Sequence, residues 1–267
     1  MPGNKQERRI LSKAMEEASV GKPVRFFVGS CPDYSNNGEI YTHEDLGDGV
    51  PLLTRVHLQS DAGLLIALEE LKVPYEYVIM VADVEAIDEV FCNRFTNGNE
   101  AEFLNRCKRS EQKTKDLLNK MGLGSKLRSS SFFGEFGRGR FMELQADYEK
   151  VLAVRLESDN SFRMRVLGDL IARSEMYRKM YPDNLFSGMT GNERTDFLIK
   201  RTLRTMAQYL ALGRQIGEKQ DECFPMIIVH QTRNKGLFNE RNKFLLPGDG
   251  LQPQPTIPVF EMKRKVY

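Results

Sequence analysis

Three short runs of apolar residues divide the chain, and each has the composition of a buried β-strand. They cover residues 24–29, 75–81 and 224–229 and are rich in β-branched and aromatic side chains. The longer stretches between them carry apolar residues at helical spacing. Strands that alternate with helices predict an α/β fold, in which helices cover both faces of a parallel sheet and the second half is helix-rich.

Helices are predicted where the 3.6-residue period is clearest and where capping residues mark an end. The remaining polar or Gly- and Pro-rich stretches read as connections, and the long loop 33–50 is of a kind that is more often functional than not. The predicted helices are 6–19, 62–71 (capped by Ser60–Asp61), 102–121, 141–181 with a break at 157–160, and 192–217. The predicted connections are 33–50, 122–140 as a flexible segment or lid, 182–191, and the linker 247–258, with an edge strand at 256–261.

Nothing in the pattern divides the chain, which shows neither an internal repeat nor a composition shift typical of a domain boundary. We therefore expect a single domain over residues 1–267, with an N-terminal helix within 1–22 and a C-terminal tail over 247–267. The 40% hydrophobic content provides enough apolar material for one substantial core.

Composition favours an intracellular protein. No apolar run approaches the roughly 18 residues needed to span a membrane, and the polar N-terminus does not look like a secretory signal. The four cysteines form no CxxC pair, so we expect reduced thiols, a cytoplasmic location and no membrane partner. Only three histidines occur, so we do not expect a catalytic metal site.

The net charge of +2 conceals a strongly basic block. Between residues 106 and 140 there are ten basic and three acidic residues, a local charge of +7. Such a block is typical of a phosphate or nucleic-acid face, but a solvated helix followed by a mobile loop would have the same composition.

Several chemically useful side chains follow the predicted strands. Ligands on parallel sheets bind beyond the carboxyl ends of the strands. The first strand leads into Ser30 and Cys31, candidate nucleophiles on a tight turn, although a turn-bonded serine and a space-filling cysteine are equally ordinary. The other candidates at this edge are Gly29, Asp33, Asp83, His230 and Arg233. Asp83 is also read as a helix N-cap, and His230 as a structural histidine.

The order of these features resembles that of the tRNA-dependent cyclodipeptide synthases, whose catalytic domain is similar to that of class I aminoacyl-tRNA synthetases. The resemblance covers roughly residues 24–240 and is carried by the turn 29–32, the strand that ends at Asp83, a basic helix, and the Tyr209-Leu210 pair. Val229-His230 resembles a Tyr-His pair of that family. Cys31 takes the place of the family's acylated serine, and a thioester is a suitable acyl carrier.

The resemblance implies a Rossmann-like domain that uses aminoacyl-tRNA as an activated substrate, with neither a metal nor another cofactor. Cys31 or Ser30 would accept the aminoacyl group, while Tyr209 and His230 would bind substrate or move protons. Gly213 departs from the pattern, since the family has a glutamate at this position near the substrate amine. The expected tRNA contacts are Arg106, Lys108, Arg109, Lys113, Lys115 and Lys120.

Two other functions remain open on the sequence. One is a Rossmann-like transferase that uses a nucleotide or a methyl donor, although GxxxxGK[ST], GxGxxG, HExxH and GxSxG motifs are absent. The other is a non-catalytic RNA-binding module whose function lies entirely in the basic block. Either a monomer or a homodimer is compatible with the sequence.

Overall fold

The computed structural model describes residues 5–30, 50, 52–180, 185–229 and 243–245. Five strands and eight α-helices are found in these ranges. The first half contains α1 (Lys5–Ser19), β1 (Val24–Ser30), α2 (Leu52–Glu70), β2 (Tyr75–Val81), a 3₁₀ turn (Asp83–Ile87), α3 (Glu89–Thr96), α4 (Glu100–Lys120) and β3 (Leu127–Ser131). The second half contains α5 (Phe132–Phe136), α6 (Arg138–Ser158), α7 (Asn160–Met180), α8 (Gly191–Gly217), a second 3₁₀ turn (Glu218–Asp221), β4 (Phe224–Val229) and β5 (Lys243–Leu245).

The strands form one sheet in the order β3-β2-β1-β4-β5. The first four are parallel and β5 is antiparallel to β4. The chain proceeds outward from β1 through β2 to β3, and then crosses to the other side of β1 to form β4. This reversal confirms the predicted α/β, Rossmann-like fold, and ligands of such sheets bind at the carboxyl ends of the strands beside the reversal.

Helices cover both faces of the sheet because side chains alternate along each strand. On the first face, Phe26 and Tyr77 pack with apolar residues of α1 and α2, and Leu118 of α4 belongs to the same cluster. On the second face, Phe27 and Met80 pack with Ile216 near the end of α8 and with Phe132 of α5. The sheet is therefore the middle of three layers.

The helix-rich second half has a core of its own. Leu152 of α6, Phe162 of α7 and Met206 of α8 belong to one buried cluster. The predicted break in the long helical stretch is confirmed at Asp159, whose carboxylate accepts a hydrogen bond from the Phe162 amide at 3.0 Å. This side chain both ends α6 and caps α7, so the two helices form a hairpin that packs on α8.

The predicted start of α2 is wrong. The helix begins at Leu52, ten residues before the expected start, and Asp61 lies in its interior rather than at its N-cap. Asp61 is buried and its carboxylate accepts a hydrogen bond of 2.5 Å from the Tyr77 hydroxyl of β2. A carboxylate that would ordinarily mark a helix start is thus satisfied by a tertiary partner.

The predicted flexible segment 122–140 is also wrong. It contains β3, which pairs with β2 in parallel register from Tyr77↔Leu127 to Val81↔Ser131, and then α5 and the start of α6. Ser129 is buried, and α4 packs against β3. Backbone pairing and this cover form a strand from a serine-rich sequence of low β-propensity.

Several expectations lie outside the described residues, including the loop 33–49, the linker 247–258 and the edge strand 256–261. Within the described ranges, none of the helices is both long enough and apolar enough to span a membrane.

Candidate functional site at the carboxyl edge of the sheet

The carboxyl edge is the side of the sheet at which the four parallel strands end, and β1 ends there with Gly29 and Ser30. Ser30 is fully buried on the first face, where its hydroxyl lies 2.9 Å from the Thr54 hydroxyl of α2. Gly29 faces the opposite side, and a Cβ added there would lie 3.7 Å from the Phe132 ring. The end of β1 is therefore closed by a hydroxyl pair on one face, while on the other the Phe132 ring lies next to the backbone of Gly29.

The position of Ser30 bears on the choice between the two predicted nucleophiles. Its hydroxyl is bonded to Thr54, and it points to the face covered by α1, α2 and α4. Tyr209 belongs to α8, which covers the other face. The structure therefore does not bring Ser30 and Tyr209 together. Cys31, the second candidate, lies outside the described residues.

Asp83 lies just beyond the end of β2 and is 5% exposed. Burial raises the pKa of its carboxyl, although hydrogen bonds from the Ser131 hydroxyl and the Phe133 amide act in the opposite direction. The Phe133 amide donates to Asp83 Oδ1 at 3.1 Å. The carboxylate thus ties the start of α5 to the end of β2, in keeping with the alternative interpretation of Asp83 as a helix cap, here for a helix 50 residues away in the chain.

Helix α8 leads into β4, so it crosses the second face from the carboxyl edge toward the starts of the strands. Leu212 and Ile216 pack on the middle of the sheet. Tyr209 precedes Ile216 by two turns, or about 10 Å along the helix axis, which places it toward the carboxyl edge. Its side chain is 37% exposed, whereas Gly213, one turn further on, is buried. A phenol and two glycines, Gly29 and Gly213, therefore belong to the same side of the sheet.

The cations predicted to bind tRNA all lie on α4, but they do not share one face. Helical geometry places Arg106, Arg109, Lys113 and Lys120 on one flank, and Lys108 and Lys115 on the other. Half of them have an acidic partner, since Arg106 and Arg109 share Glu102, and Lys115 pairs with Glu111. Lys108, Lys113 and Lys120 have no acidic partner in the part of the chain that the structure describes.

The basic residues after α4 are mostly paired. Lys126 pairs with Glu69, Arg128 with Glu76 and Glu135, and Arg138 with Glu100. The local charge of +7 therefore overstates the free positive charge of this region. The cationic surface that remains is the exposed side of α4, which begins at the carboxyl edge, where Phe103 and Cys107 pack against Val81 and Ala86.

A buried ionic cluster near this edge escaped the sequence analysis. Arg201 of α8 pairs with Asp88, and both side chains are at least 94% buried. Asp88 also caps α3 by accepting the amides of Val90 and Phe91 at 3.0 and 3.2 Å. The cluster fixes α8 to the segment that follows β2. In the sequence, the only signal for this cap of α3 is an aspartate just before an apolar helix. The pairing of Asp88 with Arg201 could be found only from the fold.

Asp33, His230 and Arg233, like Cys31, lie outside the described residues, so their predicted roles remain predictions. Among the described residues, three or more His, Cys, Asp or Glu side chains are nowhere grouped as metal ligands would be. Comparison of the chain with protein-family models, with curated proteins and with solved structures found no match.

Proposed function

We propose that the protein is an aminoacyl-tRNA-dependent acyltransferase that forms a peptide bond and releases a cyclic dipeptide. The observation that carries the proposal is the position of α4. This helix begins at the carboxyl edge of a Rossmann-like sheet, and its two flanks bear exposed lysines that have no acidic partner among the described residues. A tRNA acceptor arm held along α4 by its phosphates would direct its 3′ end to that edge.

The proposed chemistry needs no further activation, because the amino acid arrives as an ester. The Cys31 thiolate attacks the ester carbonyl, a thioester forms, and the 3′-hydroxyl of the tRNA leaves with a proton. The amine of a second aminoacyl-tRNA then attacks the thioester and frees the thiol. The remaining amine finally attacks the second tRNA ester, which closes the ring and releases the second 3′-hydroxyl.

Cys31 is the proposed acyl carrier because the Ser30 hydroxyl is buried and bonded to Thr54. Tyr209 is a polar side chain of α8, which covers the opposite face of β1, and its hydroxyl would hold the aminoacyl group by a hydrogen bond. Gly213 would leave room for that group beside Tyr209, and the Phe132 ring next to Gly29 would line the other side. Asp83 would act through α5 as a positioning residue, because its bonds go to Ser131 and Phe133.

Product analysis tests the reaction. Cells that express the wild-type chain should accumulate a new cyclic dipeptide, detected by mass spectrometry. Cys31→Ala should abolish it, whereas Ser30→Ala should reduce it only as far as protein stability falls. Absence of any new dipeptide with the wild-type chain would overturn the proposal, and persistence in Cys31→Ala would reject the thioester.

RNA binding tests the surface of α4. Purified wild-type protein should carry tRNA that is released at high salt. The double substitution Lys108→Glu and Lys113→Glu should remove it, because four units of charge change at the proposed phosphate contacts. The matched control, Lys13→Glu and Lys150→Glu, makes the same charge change on α1 and α6 and should retain the RNA. Equal retention by both double variants would reject the proposed interface.

A transferase that uses a nucleotide or a methyl donor is the second candidate, and the reversal between β1 and β4 favours it. Crevices at such reversals commonly bind nucleotides. This candidate predicts that ATP or S-adenosylmethionine raises the melting temperature in the absence of RNA, whereas the first candidate predicts no shift with either compound. If RNA binding survives but the double variant Ser30→Ala, Cys31→Ala loses no activity in cells, the protein is instead a non-catalytic RNA-binding module.

A further inference from the structure

One face of α8 carries polar side chains toward the segment that follows β2. Arg201, Arg204 and Gln208 are spaced three and four residues apart, so they lie in one row. The row faces the end of the first 3₁₀ turn, because Arg204 Nη2 donates a hydrogen bond of 2.7 Å to the Ile87 carbonyl oxygen. Ile87 is four residues past Asp83, so the row lies beside the carboxyl edge.

The two arginines of this row differ in how their charge is balanced. Arg201 is buried with Asp88, and the Tyr177 hydroxyl lies 3.4 Å from its Nε. Within the described ranges Arg204 has only Glu89 as an acidic neighbour, at the limiting distance of 4.0 Å, and the Glu89 side chain is 77% exposed. Such a loose, solvated pair contributes little, so the charge of Arg204 is available to another anion.

Two hydrogen-bond donors of the row have neither an acceptor nor a close carboxylate among the described residues, unlike Arg201 Nη2, which lies against Asp88. They are Arg204 Nε and Gln208 Nε2, and both are buried. Buried donors are nearly always satisfied in native proteins, so two of them one helical turn apart require an explanation. A positive charge beside two free N–H donors matches an anionic acceptor with several oxygens, which is the chemistry of a phosphate group.

The location relates this row to the proposed substrate. Gln208 is the neighbour of Tyr209 in the chain, so the row and the phenol lie at the same level of α8. An aminoacyl group held at Tyr209 is attached to the 3′-terminal adenosine of its tRNA. The nearest phosphodiester precedes that adenosine, within reach of a side chain one helical turn away.

We propose that Arg204 and Gln208 form a phosphate subsite for the phosphodiester that precedes the 3′-terminal adenosine of the aminoacyl-tRNA. This assignment rests on the proposed function and deepens it, because it names the part of the substrate that fixes the register of the 3′ end. In this assignment α4 holds the acceptor arm at one side of the edge, and α8 holds the terminal phosphodiester at the other.

A chemical-mutant cycle tests the subsite with the intact chain. The probes are the trinucleotide CCA and the same trinucleotide with an uncharged methylphosphonate at its last internucleotide linkage, titrated calorimetrically. The wild type should bind the analogue roughly 10- to 100-fold more weakly, the effect expected for a charge-assisted hydrogen bond. Arg204→Ala should bind the two probes equally, because the partner of the missing charge is gone.

Two further variants protect the test from a folding defect. Gln208→Glu keeps the shape of the side chain and places a negative charge beside the phosphate, so it should weaken CCA binding at least 10-fold. Arg214→Ala removes an arginine of α8 that pairs with Glu218 and is 61% exposed, and it should bind CCA like the wild type. Circular dichroism confirms the fold of each variant before titration.

The outcomes distinguish failure of the proposed subsite from failure of the proposed function. If Arg204→Ala and Gln208→Glu bind CCA as tightly as the wild type, the subsite is rejected and the acyltransferase proposal stands. Discrimination between the two probes that persists in Arg204→Ala also rejects it. If the wild type binds ATP but not CCA, both proposals fall, and loss of ATP binding in Arg204→Ala would then assign the row to a nucleotide phosphate.

Discussion

The two ends of the same parallel strands use charge in different ways. At the amino edge, where the strands begin, five charged residues of alternating sign form an ion-pair ladder across the second face: Glu222, Arg25, Glu76, Arg128 and Glu135. Each of these side chains has an opposite charge beside it. At the carboxyl edge, Asp83 is buried without a cation among the described residues, and Arg204 keeps only a loose partner.

The ladder has the properties of a structural device. Arg128 lies between Glu76 and Glu135, and the hydrogen bonds that it donates to Glu135 raise the pKa of its guanidinium despite partial burial. Burial alone would raise the pKa of Glu135, but the bond to Arg128 lowers it below the ordinary value. Because each charge has an opposite charge beside it, the ladder stabilises the junction of three strands and α5.

The carboxyl edge lacks this pairing. Asp83 is held by neutral donors, and burial raises its pKa. Arg204 and Gln208 contain donors that have no acceptor among the described residues. An acid whose pKa is raised by burial and donors without acceptors both cost stability, and such groups gather at functional sites more often than elsewhere. The difference between the edges therefore supports the proposal that ligands bind at the carboxyl edge.

Removing the cation between Glu76 and Glu135 should give the largest loss of stability. Arg128→Met leaves Glu76 and Glu135 partly buried, close together and without their shared cation. We expect the free energy of unfolding to fall by roughly 2–3 kcal/mol, less than for a fully buried pair because Arg128 is 35% exposed. Urea denaturation at pH 7 measures the change.

The matched control is an exposed ion pair. Lys150→Met breaks the contact with Asp147, in which the two side chains are 78% and 73% exposed. We expect it to change the free energy of unfolding by less than about 0.5 kcal/mol. Equal effects of the two substitutions would show that the ladder is a surface feature, and the contrast between the edges would lose its energetic basis.

A smaller loss is expected from the hydroxyl pair that closes β1. Ser30→Ala or Thr54→Val each leaves one buried hydroxyl without its partner, at a cost of about 1–2 kcal/mol. The double variant removes both hydroxyls and should be more stable than the sum of the single effects implies. Additive losses in the double-mutant cycle would mean that the two side chains do not depend on each other.

The parts of the fold that the sequence predicted are those in which local pattern and tertiary environment agree. The strands β1, β2 and β4 are mostly apolar runs, interrupted near their starts by Arg25 and Glu76, as expected of buried parallel strands. The break between α6 and α7 was visible because Asp159 stands between two helical patterns. The carboxyl-edge positions of Asp83 and of the turn at Ser30 then followed from strand direction alone.

The errors arise where a long-range partner overrides a local preference. Asp61 was predicted to be a helix cap because its actual partner, Tyr77, is 16 positions away and does not show in the local sequence. β3 was predicted to be a flexible loop because its serine-rich sequence has a low β-propensity. The strand forms through its pairing with β2, which the local sequence does not reveal. The environment of Arg204 and Gln208 could not be predicted from the sequence, since only the fold shows that Arg204 bonds Ile87 and that both side chains have donors without acceptors among the described residues.

The smallest effect has the most informative sign, because Asp83 and Glu135 should respond to pH in opposite directions. The folded-state pKa of Asp83 is raised above 3.8, so its ionised form destabilises the fold as pH rises through the window above that value. Asp83→Asn keeps an acceptor for the Phe133 amide and should be more stable than the wild type at pH 7, with the gain shrinking toward pH 4.

The folded-state pKa of Glu135 is lowered below 4.5, so its stabilisation is present at pH 7 and is lost as pH falls. Glu135→Gln should therefore be less stable at pH 7, with the deficit shrinking on acidification. Urea denaturation between pH 4 and pH 8 distinguishes the two slopes. If Asp83→Asn is destabilised at every pH, the carboxylate is needed as the cap of α5, and the carboxyl edge is stabilised by its charge just as the amino edge is.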